Sequence, residues 1–364
     1  MPNLAPPPEL PDSPSCSASP EPLSTSAHAD AFHPRRFLSN GHLQTIAGNF
    51  LPRPDHLGPP ESVFVEVSPA AGGQIASQVL CHCNWQPPEI RTHTPTAIIL
   101  HGLEGSSNSQ YVVGNATKLW LAGCNVIRMN MRNCGGTERL SPTLYHSGLS
   151  SDVLAVLRLF AAREQLTSIS LIGYSMGGNL VLKLAGEVAG LGPDSPPQLR
   201  SVIGVSPAMD LGPSADALHL PLNRIYEHRF TRALLKRFRR KAELFPSAYD
   251  PARANGIRSL RDFDDRITAF YSGFLGADDY YRRAAAARVL DRISVPTLIL
   301  HALDDPFIRI TPETRAKISA NPNITLIEPL HGGHCAFLAQ PHPGRGYDGY
   351  WAEHTLLRFL LKHR

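Results

Sequence analysis

The chain has 364 residues, of which 42% are hydrophobic and 18% are charged, and its formal net charge is +4 at pH 7. This composition is typical of a soluble globular protein with one large domain or two small ones. The basic excess is too small and too diffuse to indicate nucleic-acid binding. No apolar stretch is long enough to span a bilayer, which argues against a membrane-spanning protein.

The first 31 residues are rich in Pro, Ser and Ala and poor in aromatic residues. Such a segment cannot bury a core, so we predict a disordered tail over residues 1–31, with folded structure beginning near Phe32. The start of the chain lacks the basic residues and apolar run of a secretory signal. We therefore expect a cytoplasmic protein with reduced thiols.

An antiparallel hairpin is the first predicted structure. A β-rich run at residues 61–67 is followed by a second at residues 74–85, with a turn at residues 71–73. The second run contains Cys-His-Cys at residues 81–83, which could indicate metal ligands. Alternation along a strand places the two cysteines on one face and the histidine on the other, and the cysteine spacing matches no zinc framework. We predict strand residues here and no metal site.

Beyond residue 96, predicted strands alternate with predicted helices, which is typical of the α/β class. The strands span residues 96–100, 125–131, 168–172, 200–205, 296–300 and 323–327. The helices span residues 111–122, 152–164, 179–188, 312–319 and 350–361. Ser150, Ser151 or Asp152 is expected to cap the second helix. The pattern predicts a mostly parallel central sheet with helices on both faces.

The alternation is interrupted between residues 208 and 291, where helical patterns cover residues 222–244, 259–270 and 278–289. We therefore predict a core made of residues 32–207 and 292–364. Residues 208–291 would form a helical lid inserted over the C-terminal edge of the sheet.

One stretch of this insertion, residues 229–241, is strongly basic, and Phe230, Leu234 and Phe238 share one helical face. The helix could touch an anionic membrane or acyl-phosphate substrates. We prefer the simpler interpretation of a helix that packs on the core and keeps a solvated basic face. Membrane contact through the lid stays open, but it is not expected to be stable.

The pattern G-x-S-x-G at residues 173–177 joins an apolar strand to a helix. Two glycines allow strand and helix to approach closely, which leaves Ser175 at the apex of a tight and strained turn. The start of the helix supplies free N–H groups and the positive end of a dipole. This context favours a nucleophilic serine over an incidental one in a glycine-rich turn.

A serine nucleophile needs a base and an acid that orients the base, and both should follow strand ends in an open α/β sheet. His334 follows two glycines after the last predicted strand, and we prefer it as the base to His331. Asp304 and Asp305 follow the strand at residues 296–300. Pro306 fixes the backbone after Asp305, so we prefer Asp305 as the acid and leave Asp304 as the alternative.

Two N–H donors should stabilise the negative oxygen of a tetrahedral intermediate. We assign the backbone N–H of Met176, which follows the nucleophile, and that of Leu103, which follows His101-Gly102 at the end of another strand. The pattern implies no metal and no organic cofactor.

These residues together resemble the α/β-hydrolase superfamily. Three further stretches, at residues 40–45 (NGHLQT), 130–136 (NMRNCGG) and 144–148 (LYHSG), resemble its YheT-like branch. The resemblance runs from about residue 33 to the end of the chain. It implies the α/β-hydrolase fold and ester hydrolysis by the triad, with carboxylic esters and lipids as substrate classes. It assigns no role to His42 or Gln44, for which we expect a structural role.

Three functions fit these sequence features. The first is a serine hydrolase that cleaves carboxylic esters through an acyl-enzyme. The second is an acyltransferase that uses the same triad with an alcohol in place of water, because both reactions share their first half. The third is a non-catalytic binding protein on the same fold, which ranks last because all three triad members are present. The expected ligand is a small or lipid-like acyl ester, and no nucleic acid is expected.

Overall fold

The computed structural model describes residues 32–71 and 73–364. The predicted disordered tail therefore lies outside the described residues, as does part of the predicted turn at residues 71–73. None of the helices in the described ranges is long and apolar enough to cross a membrane.

A single sheet of eight strands organises the described chain, with the order β1-β2-β4-β3-β5-β6-β7-β8. The strands are β1 Glu61–Ser68, β2 Ser77–Asn84, β3 Thr96–Leu100, β4 Asn125–Met129, β5 Ile169–Tyr174, β6 Leu199–Val205, β7 Thr297–Leu300 and β8 Ile324–Ile327. β2 pairs antiparallel with β1 and with β4, and all other neighbours are parallel. The predicted hairpin and the mostly parallel sheet are both confirmed.

Helices cover both faces of this sheet, as predicted. They are α1 Gly41–Phe50, α2 Pro88–Arg91, α3 Gln110–Leu121, α4 Ser150–Arg163, α5 Met176–Val188, α6 Leu211–Leu218, α7 Arg224–Leu244, α8 Leu260–Phe263, α9 Phe270–Ser272, α10 Ala277–Ala284, α11 Pro312–Ala320 and α12 Trp351–Lys362. No sequence pattern predicted α1, α2 or α6.

The central strands form the middle layer because their side chains are apolar on both faces. Every residue of β3, β4 and β5 is buried. One hydrophobic cluster joins the sheet to α4 and α5 through residues such as Phe160 and Leu180. A second cluster covers the opposite face with α3 and α12 through residues such as Leu119 and Leu356. The sheet thus lies between two helical layers. The loops at the C-terminal ends of its strands carry the predicted site residues.

The predicted cap of α4 is wrong. The helix begins at Ser150 after Leu149, and Leu149 makes no side-chain capping bond. Asp152 is instead buried in an ion pair with Arg132, whose Nη2 lies 2.5 Å from Asp152 Oδ1. The Ser150 hydroxyl donates to Glu187. These partners lie elsewhere in the fold, so the side chains are not available to the free N–H groups of the helix.

Between β6 and β7 lies the helical insertion, made of α6 to α10. The predicted helix at residues 259–270 consists of α8, a π-helical turn at Asp264–Ala269 and α9. The predicted helix at residues 278–289 ends at Ala284. The insertion shares one hydrophobic cluster with the core. Its role as a lid is a prediction.

The expected basic face of α7 is exposed to solvent, but two cations of the run point inward. Lys241 is fully buried, and its Nζ donates to Asn133 Oδ1 at 2.6 Å and to the carbonyl oxygens of Glu138, at 2.9 Å, and Ser141. Arg237 pairs with Glu104 in the loop after β3. These two side chains fasten the inner side of α7 to loops of the core.

Candidate active site

Ser175 lies at the turn between β5 and α5 in a strained conformation, with φ 53° and ψ −115°. A positive φ is uncommon for a residue with a side chain and is held only when its surroundings enforce it. Here the Ser175 N–H donates to Val205 O at 2.9 Å, and its carbonyl accepts from Asn179 N at 3.1 Å and Ala208 N at 3.2 Å. These three bonds fix the turn from both sides.

The glycines of the G-x-S-x-G pattern make this turn possible by allowing close approach. A Cβ on Gly173 would lie 2.2 Å from Gly177 O, and a Cβ on Gly177 would lie 2.4 Å from His101 O. No larger residue fits at either position without moving the backbone. The predicted reason for both glycines therefore agrees with the geometry.

His334 and Asp305 lie together at the same sheet edge. His334 Nδ1 is 2.8 Å from Asp305 Oδ2, and the other carboxylate oxygen accepts from the N–H groups of Phe307 and Ile308 at 3.1 Å and 2.9 Å. Asp305 is only 4% exposed. Three hydrogen bonds thus hold the carboxylate in one orientation, and it in turn orients the imidazole.

The electrostatics of this pair favour its charged form. Burial alone would raise the pKa of Asp305, but the His334 and His301 imidazoles and the hydrogen bonds lower it below its usual value. Burial alone would lower the pKa of His334, but Cys335 and the Asp305 carboxylate outweigh burial and raise it. The environment therefore stabilises the imidazolium that forms when His334 takes up a proton beside the Asp305 carboxylate.

Asp304 has a different partner. Its Oδ1 accepts from the N–H of Gly333 at 2.8 Å, and its Oδ2 lies 3.6 Å from His331 Nδ1. The two adjacent aspartates therefore point in different directions. Asp305 contacts His334, whereas Asp304 supports the glycine loop that presents His334, with His331 beside it.

The loop of His334 meets the serine turn at the end of β6. Val205 O accepts from the Ser175 N–H, and the Cys335 thiol lies 3.7 Å from the same oxygen. Cys335 N donates to Ser206 Oγ at 3.0 Å. Within the described ranges, the Ser175 hydroxyl makes no side-chain hydrogen bond, to His334 or otherwise. Catalytic hydrogen bonds commonly tighten only in the substrate complex.

The two predicted oxyanion donors flank this serine. Met176 is the first residue of α5, so its N–H has no acceptor within the helix. The loop that carries Leu103 passes directly against Ser175, because a Cβ on Gly102 would lie 3.2 Å from Ser175 Cβ. The Gly102 N–H donates to Tyr111 Oη at 2.8 Å, which helps to fix this loop.

His101 is a positioning residue for the loop that carries Leu103, a role of its side chain that the sequence pattern did not predict. Its Nδ1 donates to Gly102 O at 2.7 Å, and its Nε2 accepts from the Met131 N–H at 3.1 Å. This pairing requires a neutral ring, and burial lowers the pKa of His101 to about 4. The ring thus links the loop that carries Leu103 to the end of β4.

The Asn-Gly-His-Leu-Gln-Thr stretch at residues 40–45 forms the start of α1 and holds the histidine loop. The Asn40 side chain caps the helix by accepting from His42 N at 3.0 Å and Leu43 N at 3.2 Å. Thr45 Oγ1 accepts from the backbone N–H of His334 at 2.8 Å. Thr45 thus contacts the loop of His334, although no role was predicted for this residue.

Two further members of this stretch bridge distant segments. Gln44 is fully buried, and its amide donates to Leu338 O and accepts from Leu338 N, at 3.0 Å and 2.9 Å. His42 stacks on Tyr226 of α7, with ring centroids 5.8 Å apart. No sequence signal identified these partners, because they lie 294 and 184 residues away.

A largely apolar cavity with about 920 Å³ of space between protein atoms, its mouth included, extends from this site into the helical insertion. Ser175, Met176 and Leu103 line it together with apolar side chains of α6 and α7. Asp264 is the only carboxylate among the described lining residues. The arrangement places a serine and two free N–H groups at the wall of an apolar pocket.

No metal centre accompanies the site in the part of the chain that the structure describes, where no group of three or more His, Cys, Asp or Glu residues could hold an ion. Cys81 and Cys83 are buried in the core, and His82 Nδ1 lies 2.9 Å from Ser107 Oγ on the other face. The two faces predicted for this strand are confirmed.

The mostly parallel sheet with helices on both faces defines an α/β protein, and the comparisons agree. A family model described as alpha/beta hydrolase fold matches residues 95–341. YheT of Escherichia coli (strain K12), named as a candidate esterase, is 31% identical over 319 residues, which cover 84% of this chain and 87% of that protein. The chain therefore belongs to the α/β-hydrolase fold family, and its resemblance to the YheT-like branch is confirmed.

Two further matches are more distant. Phospholipase ABHD3 of Bos taurus is 28% identical over 275 residues, which cover 75% of this chain and 65% of that protein. The crystal structure of the 2,6-dihydroxy-pseudo-oxynicotine hydrolase matches with a TM-score of 0.53 at 16% identity, covering 88% of this chain and 71% of that one. The structural match shows the fold alone.

Proposed function

We propose that the chain is a serine hydrolase of carboxylic esters, with Ser175 as nucleophile, His334 as base and Asp305 as orienting acid. The observation that carries this proposal is the 2.8 Å bond between His334 Nδ1 and Asp305 Oδ2 beside a strained serine. The names of YheT as a candidate esterase and of ABHD3 as a phospholipase support ester hydrolysis.

The geometry suits a two-step reaction. Because Nδ1 of His334 is held by Asp305, its Nε2 is free to take the proton of Ser175 as the hydroxyl attacks the ester carbonyl. Asp305 stabilises the imidazolium that forms. The N–H groups of Leu103 and Met176 stabilise the oxyanion. His334 then returns the proton to the leaving alcohol, and a water molecule activated in the same way releases the acid from the acyl-enzyme.

The apolar cavity beside Ser175 supports an acyl ester with a hydrocarbon chain as substrate, including lipid-like esters. Its lining offers dispersion contacts to such a chain and excludes water from the reacting carbonyl. The helical insertion contributes most of this lining. We accordingly propose that residues 208–291 act as the lid of the site.

An acyltransferase remains the second candidate, because transfer to an alcohol uses the same acyl-enzyme. The two reactions are distinguished by product analysis in the presence of a competing alcohol. A dominant new ester would indicate acyl transfer, whereas release of the free acid at an unchanged rate would indicate hydrolysis.

Labelling with a fluorophosphonate probe tests the nucleophile. We expect one adduct on the wild-type protein by intact mass, located on Ser175, and none on the variants Ser175→Ala and His334→Ala. The variant His331→Ala is the matched control and should label like the wild type. No adduct on well-folded wild-type protein would overturn the proposal. If labelling succeeds, a series of p-nitrophenyl esters of increasing chain length then measures how the cavity selects its acyl group.

A further inference from the structure

The outer side of α7 carries a stripe of cations. At helical spacing, Arg229, Arg232, Lys236 and Arg239 fall on one face, and all four are exposed to solvent. None of the four forms an ion pair within the described chain. We call these four residues the basic stripe. Its four side chains together carry a charge of +4, which equals the formal net charge of the whole chain.

This stripe has no role in holding the helix in place. The opposite face of α7 packs through Leu234 and Phe238 and through the buried contacts of Arg237 and Lys241. Like charges three and four residues apart on a helix repel each other and weaken it. An ordinary solvated face mixes acidic with basic residues, but here the exposed Glu243 pairs only with Arg240, at the end of the stripe. The basic stripe therefore destabilises the helix. Binding of an external anionic partner would offset this destabilisation.

An exposed apolar tip lies at the start of the same helix. Leu220, Leu222 and Ile225 are 51%, 81% and 72% exposed, and Ile225 falls on the face of the basic stripe. Leu220 and Leu222 line a surface groove together with Leu303, which is 52% exposed and precedes the aspartate pair. The tip thus adjoins the loop that carries the proposed catalytic acid.

We propose that the outer face of α7 docks reversibly on an anionic lipid bilayer. The basic stripe would lie against the phosphate groups, and Leu222 and Ile225 would enter the boundary between headgroups and acyl chains. Exposed cations attract anionic headgroups, and exposed apolar side chains at the same surface can enter the boundary between headgroups and acyl chains. Nucleic acid explains the cations but leaves the exposed leucines and isoleucine without a partner, so the bilayer is the occupant that fits both features.

Sedimentation of the full-length protein with vesicles tests this. Wild-type protein should bind vesicles of equal parts phosphatidylcholine and phosphatidylglycerol and not vesicles of phosphatidylcholine alone. Added salt should release it, because exposed charges are screened. The triple variant Arg229→Gln, Arg232→Gln, Lys236→Gln should bind roughly 100-fold more weakly, since each cation near an anionic surface is worth about a factor of five.

The matched control removes the same charge elsewhere. Arg258, Arg288 and Arg292 are exposed and form no ion pair within the described chain, so their triple change to Gln should leave most of the vesicle binding intact. The double variant Leu222→Ser, Ile225→Ser tests the apolar tip and should also weaken binding. Equal losses in the control and stripe variants would overturn the proposal, because net charge alone would then explain binding. Duplex DNA that competes with the vesicles equally well would also overturn it.

Separate measurements test the proposed function and this inference. Fluorophosphonate labelling and hydrolysis of a short, soluble p-nitrophenyl ester should be unchanged in the stripe and tip variants, because none of their residues lines the catalytic cavity. A protein that binds vesicles but does not label would retain the docking surface and lose the hydrolase proposal. A protein that labels but does not bind anionic vesicles would lose the docking surface alone.

Discussion

Arg237 of α7 forms two hydrogen bonds with Glu104 in the loop after β3. Nε donates to Oε1 at 2.8 Å, and Nη2 donates to Oε2 at 3.1 Å. Tyr145 Oη donates to the same carboxylate at 2.6 Å. Glu104 directly follows Leu103 and has a φ of 59°. The helical insertion thus fixes the loop that carries one of the two proposed oxyanion donors.

This contact predicts that Glu104 is a positioning residue. In Glu104→Gln the hydrogen bonds with Arg237 weaken, and the Leu103 N–H loses its orientation towards the oxyanion. We expect kcat to fall roughly 10-fold with little change in KM, because the donor acts mainly in the transition state. Steady-state kinetics on a soluble p-nitrophenyl ester measures this. Glu243→Gln, which breaks the exposed pair with Arg240 on the same helix, is the matched control and should behave like the wild type. A rise in KM at constant kcat would contradict the role.

The hydrogen bond from the His334 N–H to Thr45 predicts a second positioning effect. Thr45→Val keeps the shape of the side chain but leaves the buried N–H without an acceptor, which costs about 1–2 kcal/mol of stability. Because the His334 loop is then less firmly placed, kcat/KM should also fall, by roughly 10-fold. Thr45→Ser retains the hydroxyl and should restore most of the activity. Activity retained in Thr45→Val but lost in Thr45→Ser would indicate that the methyl group, and not the hydrogen bond, matters.

The two adjacent aspartates predict different kinetic phenotypes. Asp305→Asn removes the charge that orients and stabilises the His334 imidazolium, so kcat should fall by roughly 10⁴-fold. Asp304→Asn keeps an oxygen that can accept from Gly333, and its effect should be much smaller. The rates of fluorophosphonate labelling and of ester hydrolysis should rank the variants in the same order. A larger loss in Asp304→Asn would reverse the assignment of the acid.

The sequence predicted those features that depend on neighbours in the chain. The glycines around Ser175 set the turn locally, and strand ends carry Asp305 and His334 because parallel strands end at one edge of a sheet. It did not predict the partners of α1, because Thr45 and His334 lie 289 residues apart. Arg237 and Lys241 looked like part of a solvated face, because their partners Glu104 and Asn133 are 133 and 108 residues away. Periodicity reports which side of a helix is apolar, but not which cations find buried acceptors.

Asp264, in the π-helical turn that lines the cavity, predicts a pH-dependent stability. Its carboxyl is buried and accepts from Thr268 Oγ1 at 2.8 Å and Tyr281 Oη at 2.7 Å. Burial raises its pKa from 3.8 to about 6, although these two hydrogen bonds and Arg261 act against burial. The native state therefore binds the proton more tightly than the unfolded state, and this contribution to stability is lost as the pH rises towards the folded pKa.

The variant Asp264→Asn cannot lose a proton, so it isolates this effect. Between about pH 4 and pH 7, the free energy of unfolding of the wild type should fall by about 2 kcal/mol relative to that of Asp264→Asn, because one pKa unit corresponds to about 1.4 kcal/mol. Urea unfolding of both proteins across this range measures the difference, and the remaining titrating groups cancel. The exposed Asp291 offers a matched control, since Asp291→Asn should track the wild type at every pH. A constant difference between the wild type and Asp264→Asn would show that this carboxyl does not titrate in the window.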